Sequence, residues 1–397
     1  MFSSRTDWNT TPNRLSGLAA EKRLRGESIT DLTESNPTKC EFSYPREEFL
    51  SALSESSILS YQPEPRGLLS ARKAIAEYYA VLGIAITPEQ IILTSSTSEA
   101  YSFLFKLLCN VGDEVVVPQP SYPLFEYLCQ LNDITLRYYR LAYDGEWHID
   151  FASLQAQFSD RTRAIVLVHP NNPTGSYLKQ NEFDRICSLA SEHHSSLIAD
   201  EVFGSYDISP DTCRANILTS QFFVPLFSLN GISKLLGLPQ LKLSWIVVDG
   251  NLQQRDEALN RLDIIADTFL SVNTPAQVAL PKLLRSSSDI RNQIRLRIQT
   301  NFRLLQSIFA DSSTSVLRVE GGWYAILQLP QKYSDDNWAE KILTHQNILV
   351  QPGHFFDMEQ KSCIVVSLLP ISHLFEDSIR RLRRFIEENS HRRSKQG

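Results

Sequence analysis

Lys234 lies in the run Asn230-Gly231-Ile232-Ser233-Lys234-Leu235-Leu236-Gly237-Leu238-Pro239-Gln240-Leu241-Lys242, directly after an apolar stretch, 224–229, that reads as a buried strand. Ringed by Ser, Gly and Leu, it is oddly placed for a solvated lysine. Desolvation lowers the pKa of an ammonium group and makes the amine a nucleophile, able to form a Schiff base with an aldehyde. By itself, such a lysine is more often a plain helix-start residue. Three other stretches bear on the choice. Thr94-Ser95-Ser96-Thr97-Ser98 falls between a strand and a helix start, where hydroxyls and free amide N–H groups make either a phosphate seat or a plain N-cap. His169-Pro170-Asn171-Asn172-Pro173-Thr174-Gly175 follows another strand and sets an amide side chain at the sheet edge. Asp200 closes a third strand, as a cap or as the partner of a buried cation.

An amine, a carboxylate, an amide and a phosphate seat can together hold one cofactor, pyridoxal 5'-phosphate. In that arrangement Lys234 takes the aldehyde. Asp200 pairs with the ring nitrogen and keeps it protonated, so that the ring acts as an electron sink. Asn172 bonds the phenolic oxygen, and the helix N-terminus takes the phosphate. Tyr122, in Pro120-Ser121-Tyr122-Pro123, offers an aromatic face for the ring or ordinary core packing.

The elements that must position these groups are short apolar runs between helical patterns. Strands are expected at 91–94, 115–117, 164–168, 197–199 and 245–248, with Lys234 ending the strand at 224–229. Helices are expected near 15–25, from Gly67 to Gly83, over 100–108, over 286–309 and over 374–388. Continuous apolar strands alternating with helices predict an α/β fold with a mostly parallel sheet covered by helices on both faces. Ligands of such sheets sit at the carboxyl ends of the strands, where the four polar groups fall. Residues 1–45 are expected to form an arm and part of a small domain, with the turn-rich 32–38 as arm. Residues 46–285 form the large cofactor domain and 286–397 a smaller α+β domain.

The chain has 397 residues, 42% hydrophobic and 21% charged, which suits a globular protein with a large core. A net charge of −6 speaks against nucleic acid and anionic membrane as partners. The one basic cluster, His391-Arg392-Arg393-Ser394-Lys395, follows the last helix and is expected to fray. Cys40, Cys109, Cys129, Cys187, Cys213 and Cys363 are scattered without a C-x-x-C pair, as in a reduced compartment, and no metal site is expected. The N-terminus has no apolar core for a signal peptide, and no run approaches the ~18 apolar residues of a membrane span. A cytoplasmic location is expected.

In its order of motifs the chain resembles the class I/II pyridoxal-phosphate aminotransferases of fold type I, the aspartate aminotransferase superfamily. The matching runs are Tyr61-Gln62-Pro63 with Gly67 and Arg72, 94–100, 112–123, Asn171-Asn172-Pro173-Thr174-Gly175, Asp200-Glu201-Val202, Ser233-Lys234 and Pro352-Gly353. The resemblance implies transfer of an amino group between a small-molecule amino donor and a keto acceptor. It also implies a homodimer with shared active sites, in which Tyr61 reaches the phosphate of the neighbouring subunit's cofactor. Ser96 and Thr97 would hold the phosphate with Ser95 beside them, and Tyr122 would stack on the ring. Asn172 and Asp200 would bond it, and Lys234 would be both Schiff-base lysine and proton shuttle. Decarboxylases and C–S lyases share the fold, as do cofactor-binding regulators, though those usually add a DNA-binding domain.

Departures from the family pattern are as informative. Phe203 stands where a tyrosine usually bonds the phenolic oxygen, with Tyr206 as a possible replacement. Gly231 stands where a serine usually contacts the phosphate, so that contact is expected to be lost. Lys242 replaces an arginine on the phosphate, keeping the charge without the fork. Ser96 replaces a glycine. Val365-Val366-Ser367 replaces Arg-x-Ser, whose arginine grips the substrate carboxylate. Asn36, Lys39, His354 or an arginine of the long helix are the candidates to take over that grip.

Overall fold

The computed structural model describes residues 1–209, 214–219 and 224–391. Its centre is an eight-stranded sheet. In chain order the strands are β1 (Ile91–Thr94), β2 (Glu114–Gln119), β3 (Thr135–Tyr143), β4 (Trp147–Ile149), β5 (Thr162–Val168), β6 (Ser196–Asp200), β7 (Leu226–Gly231) and β8 (Ser244–Asp249). They lie in the order β1-β8-β7-β6-β5-β2-β3-β4. Strands β7, β6, β5, β2 and β3 pair in parallel, whereas β8 is antiparallel to β1 and β7, and β4 is antiparallel to β3.

The inner strands are buried on both faces, and their residues alternate between two cores as the two-residue period requires. Ile92, Val115, Val117, Val166, Ile198, Phe227 and Ile246 face one core, built with helices Thr97–Leu108 and Leu252–Phe269. Ile91, Val116, Ile165, Leu197, Leu226 and Trp245 face the other, built with Leu69–Val81, Gln180–Glu192 and Thr274–Arg285. The fold is therefore the expected α/β layering. The hairpin of β3 and β4 does not show as an apolar run, because β3 begins with exposed and half-buried residues in alternation.

A second sheet holds β9 (Ser315–Val316), β10 (Tyr324–Gln328), β11 (Gln351–Pro352) and β12 (Cys363–Ser367), all antiparallel in the order β9-β10-β12-β11. Helices Ser288–Phe309, Asp335–Gln346 and Ser372–His391 pack with it around Trp323, Trp338 and Phe375. The 32–38 stretch is stitched into this layer rather than lying free. Thr30–Asp31 pairs in parallel with Ile348–Leu349, Ser367 donates its N–H to Leu32 O, and Leu32 is fully buried. Among the described residues no helix is long and apolar enough to cross a membrane, and no His/Cys/Asp/Glu group could hold a metal ion. Cys213 and the basic stretch 392–395 lie outside the described residues.

Candidate active site

The carboxyl ends of β1, β5, β6 and β7 open on one cavity of about 280 Å³. Ser96, Thr97, Tyr122, Asn172, Asp200, Phe203 and Lys234 share its wall, so most residues singled out in the sequence meet in space. One placement needs correction. Strand β7 stops at Gly231, and Lys234 stands in the short helix Ile232–Leu235 instead of ending the strand. The chain turns there because Ile232 N–H still reaches across to Leu243 O, while Leu236 N–H already closes a helical turn on Ile232 O.

The Lys234 side chain is half-buried and borders the cavity. Burial pulls its pKa down to about 8, and the charge of Asp200 opposes the fall. Its Nζ lies 5.3 Å from the ring centre of Phe203 and 4.9 Å from that of Trp323. Burial pushes the Asp200 carboxyl up to about 6, against the pull of Val202 N–H, Tyr101 O–H and the Lys234 charge. The Tyr101 hydroxyl donates to Asp200 Oδ2 at 3.1 Å, and Val202 N–H donates to Oδ1 at 3.1 Å. These donors fix the orientation of the carboxylate at the cavity wall. Tyr101 was not singled out in the sequence. The signal was a tyrosine within a buried helix, whose hydroxyl needs a partner.

The turn that carries Asn172 depends on Gly175, at φ +68°, where a Cβ would come within 2.5 Å of Gly321 O. Asn172 Oδ1 is buried with no hydrogen-bond partner among the described residues. As an acceptor, this atom calls for a ligand that brings a donor, whereas a phenolic oxygen would be met by the other end of the carboxamide, Nδ2. Around the start of the helix Thr97–Leu108, Ser96 Oγ accepts from Glu99 N–H, and Thr97 and Ser98 face the cavity. Ser95 is turned differently. Its N–H donates to the Glu99 carboxylate, and it is off the cavity wall. Lys242 is exposed, in the left-handed region at φ +50°, and also off the wall. Tyr61 is 74% exposed and borders a separate recess with Gly67 and Leu93.

Residues 27–371 match the family described as aminotransferase class I and II. The chain belongs to that family. It is 26% identical to a glutamate-pyruvate aminotransferase AlaA of Haemophilus influenzae over 91% of this chain and 92% of the relative. It is likewise 26% identical to a tyrosine aminotransferase of Caenorhabditis elegans, over 83% of this chain and 71% of the relative. Among solved structures, the fold is shared with an alanine aminotransferase from Pyrococcus furiosus at a TM-score of 0.86 and 24% identity, covering 98% of this chain and 100% of that one. The protein is a pyridoxal-phosphate-dependent aminotransferase. Its cavity suits that cofactor: a desolvated lysine, a buried carboxylate, a carboxamide and a helix N-terminus line one space.

Two further positions set this aminotransferase apart. The hydroxyl of Tyr206 donates to Lys234 O at 2.6 Å and Leu235 O at 3.2 Å, so it is committed to main chain and does not replace the hydroxyl missing at Phe203. Val365 is fully buried on β12, opposite Ile326 and Gln351. None of the candidate anchors for a substrate carboxylate lines the cavity. The Asn36 side chain caps Thr38, Lys39 pairs with Glu34 at 3.7 Å, and His354 with Asp336 at 3.4 Å. Arg297 of the long helix donates to Cys40 O and Leu369 O. Among the described residues, Lys234 is the only cation on the wall.

Proposed function

We propose that this aminotransferase takes an amino donor that does not rely on a carboxylate held by arginine: an amine, or an amino metabolite whose acid group lies elsewhere. The supporting observation is the wall itself, in which Tyr122, Leu124, Phe125, Leu128, Val202, Phe203 and Tyr324 surround a single cation, Lys234. A carboxylate buried there without a partner would cost several kcal/mol. Relatives are named for tyrosine, and for glutamate and pyruvate, so the donor class is a property to be tested on this chain and not carried across.

The cofactor, when bound, supplies an electron sink for the electrons released at the substrate carbon. The protein's own groups do the rest. Asp200 would hold a proton on the ring nitrogen. Asn172 Nδ2 would donate to the phenolic oxygen, and Tyr122 would cover one face of the ring. Ser96 and Thr97 receive the phosphate at the helix N-terminus, where N–H groups without intrahelical partners favour an anion. The Lys234 amine would hold the cofactor until the donor's amine takes its place, and would then be the base that moves a proton at the donor's carbon. A homodimer completes the site, with Tyr61 of the partner subunit supplying a further phosphate contact, and the enzyme works in the cytoplasm. A survey of amines and amino acids, read by loss of the yellow chromophore of the holoenzyme, tests the donor class. Conversion to the aminated cofactor marks transamination, and release of product without that conversion would make the enzyme a lyase or decarboxylase instead.

Phe203 gives a second, independent check. With a phenylalanine there, only Asn172 among these side chains donates to the phenolic oxygen, so its negative charge is less stabilised and the proton on the Lys234 linkage is held more tightly. Phe203→Tyr is expected to lower the pH midpoint of the chromophore by about one unit, the worth of one hydrogen bond of ~1 kcal/mol. A spectral pH titration reads this directly. No shift, or a rise, would place the added hydroxyl out of reach of the cofactor oxygen.

A further inference from the structure

We propose that Ser244, on β8, supplies the phosphate-binding hydroxyl that position 231 lacks. Gly231 and Ser244 face each other across the antiparallel β7–β8 pair, and Ser244 is also the register partner of Thr94 on β1. Ser244 thus sits between the strand that leads to Ser96 and Thr97 and the strand that leads to Lys234. The backbone at Gly231 is extended, at φ −177°, a conformation open to any residue. What requires glycine there is space. A Cβ built on Gly231 would lie 2.2 Å from Ser244 Oγ and 2.8 Å from Ser244 Cβ. The Ser244 hydroxyl therefore fills the volume that a side chain at 231 would enter. The phosphate contact expected to be lost at Gly231 is relocated to the facing strand.

The surroundings fit an anion donor. Ser244 lines the same cavity as Ser96, Thr97 and Ser98, and is 2% exposed. Its hydroxyl has no hydrogen-bond partner among the described residues. A nearly buried O–H turned to a cavity without a protein acceptor gains most from an acceptor brought by a ligand. The cofactor phosphate is such an acceptor, and Lys242, two residues upstream, stands exposed off the wall, so neutral donors carry more of the grip.

The assignment rests on the cavity being the cofactor site. Its test compares three probes on the cofactor-free full-length protein: pyridoxal phosphate, inorganic phosphate, and pyridoxal, which has no phosphate. Ser244→Ala is expected to weaken pyridoxal phosphate and phosphate by about 10- to 100-fold, the worth of one hydrogen bond to a charged group, and to leave pyridoxal unchanged. Exchanging the two residues, Gly231→Ser with Ser244→Gly, puts one hydroxyl back in the same space and is expected to restore the affinity to within about threefold. If Ser244→Ala does not fold, the exchange variant decides: near-native affinity supports the relocation and a folded variant with weak binding overturns it. Equal loss for pyridoxal and pyridoxal phosphate would reveal a packing role and overturn the proposal. Unchanged affinity in Ser244→Ala would sink this assignment alone, whereas an unmodified protein that does not take pyridoxal phosphate would sink the cofactor site and the assignment with it.

Discussion

Lys234→Ala is expected to abolish amino transfer while leaving the cofactor bound. The two effects separate because the residue does two jobs. Its amine would form the covalent link to the cofactor and then move the proton, and loss of a positioned acid–base group alone costs on the order of 10²- to 10⁴-fold in rate. The phosphate seat, Asn172 and Asp200 are independent of it, so non-covalent binding persists. The environment adds a pH signature. Burial lowers the Lys234 pKa to about 8 in the cofactor-free protein. Only the neutral amine attacks an aldehyde, so the rate at which cofactor-free protein takes up pyridoxal phosphate should rise with pH and level off above about 8. An ordinary lysine would keep rising toward ~10.4. Borohydride reduction of the holoenzyme followed by peptide mapping should place the adduct on Lys234. An adduct on any other lysine would remove the basis for the whole site, as would wild-type turnover in Lys234→Ala.

How much of this was readable in the chain follows from what each residue depends on. The strands β1, β5, β6 and β7 announce themselves as apolar runs because both of their faces are covered, and the polar residue that ends each run marks the ligand side. Lys234, Asp200, Asn172, Ser96 and Thr97 are legible for that reason: each ends a strand or follows one by a few residues, so local sequence fixes its place. The β3–β4 hairpin was not legible, since an alternating strand at the sheet edge looks like a polar segment. Contacts made across the sheet were not legible either. Tyr101 reaches Asp200 from ninety-nine residues away, and whether Tyr206 could serve the cofactor depended on a hydroxyl that turns to Lys234 O. Gly231 read as a lost contact because Ser244 becomes its neighbour only through strand pairing. Ser95 read as a third seat residue because nothing in the run 94–98 says that its N–H faces Glu99.

Val365 carries the second large effect. Aspartate and glutamate are expected to be poor donors for the unmodified enzyme, with KM well above the ~1 μM–1 mM range common for enzymes. An arginine at this position would grip a carboxylate by two charge-assisted hydrogen bonds, worth about 1.5–3 kcal/mol each. Valine contributes neither, and among the described residues the only cation lining the cavity is Lys234, whose amine the cofactor would occupy. Val365→Arg is therefore expected to raise kcat/KM for both dicarboxylates by at least about tenfold, with the gain mainly in KM because the carboxylate is held alike in ground and transition states. The substitution also has a cost. Val365 is fully buried among Ile326, Phe356 and Cys363, so a guanidinium that fails to reach the cavity is desolvated without a partner, and the melting temperature should fall. Adding a dicarboxylate should recover part of that loss, because a ligand that binds only the folded protein stabilises it. Recovery with aspartate and none with an uncharged amine of similar size would tie the effect to the carboxylate. Brisk turnover of aspartate by the unmodified protein at sub-millimolar concentration would show an anchor supplied from outside this wall, with the partner subunit as its first source.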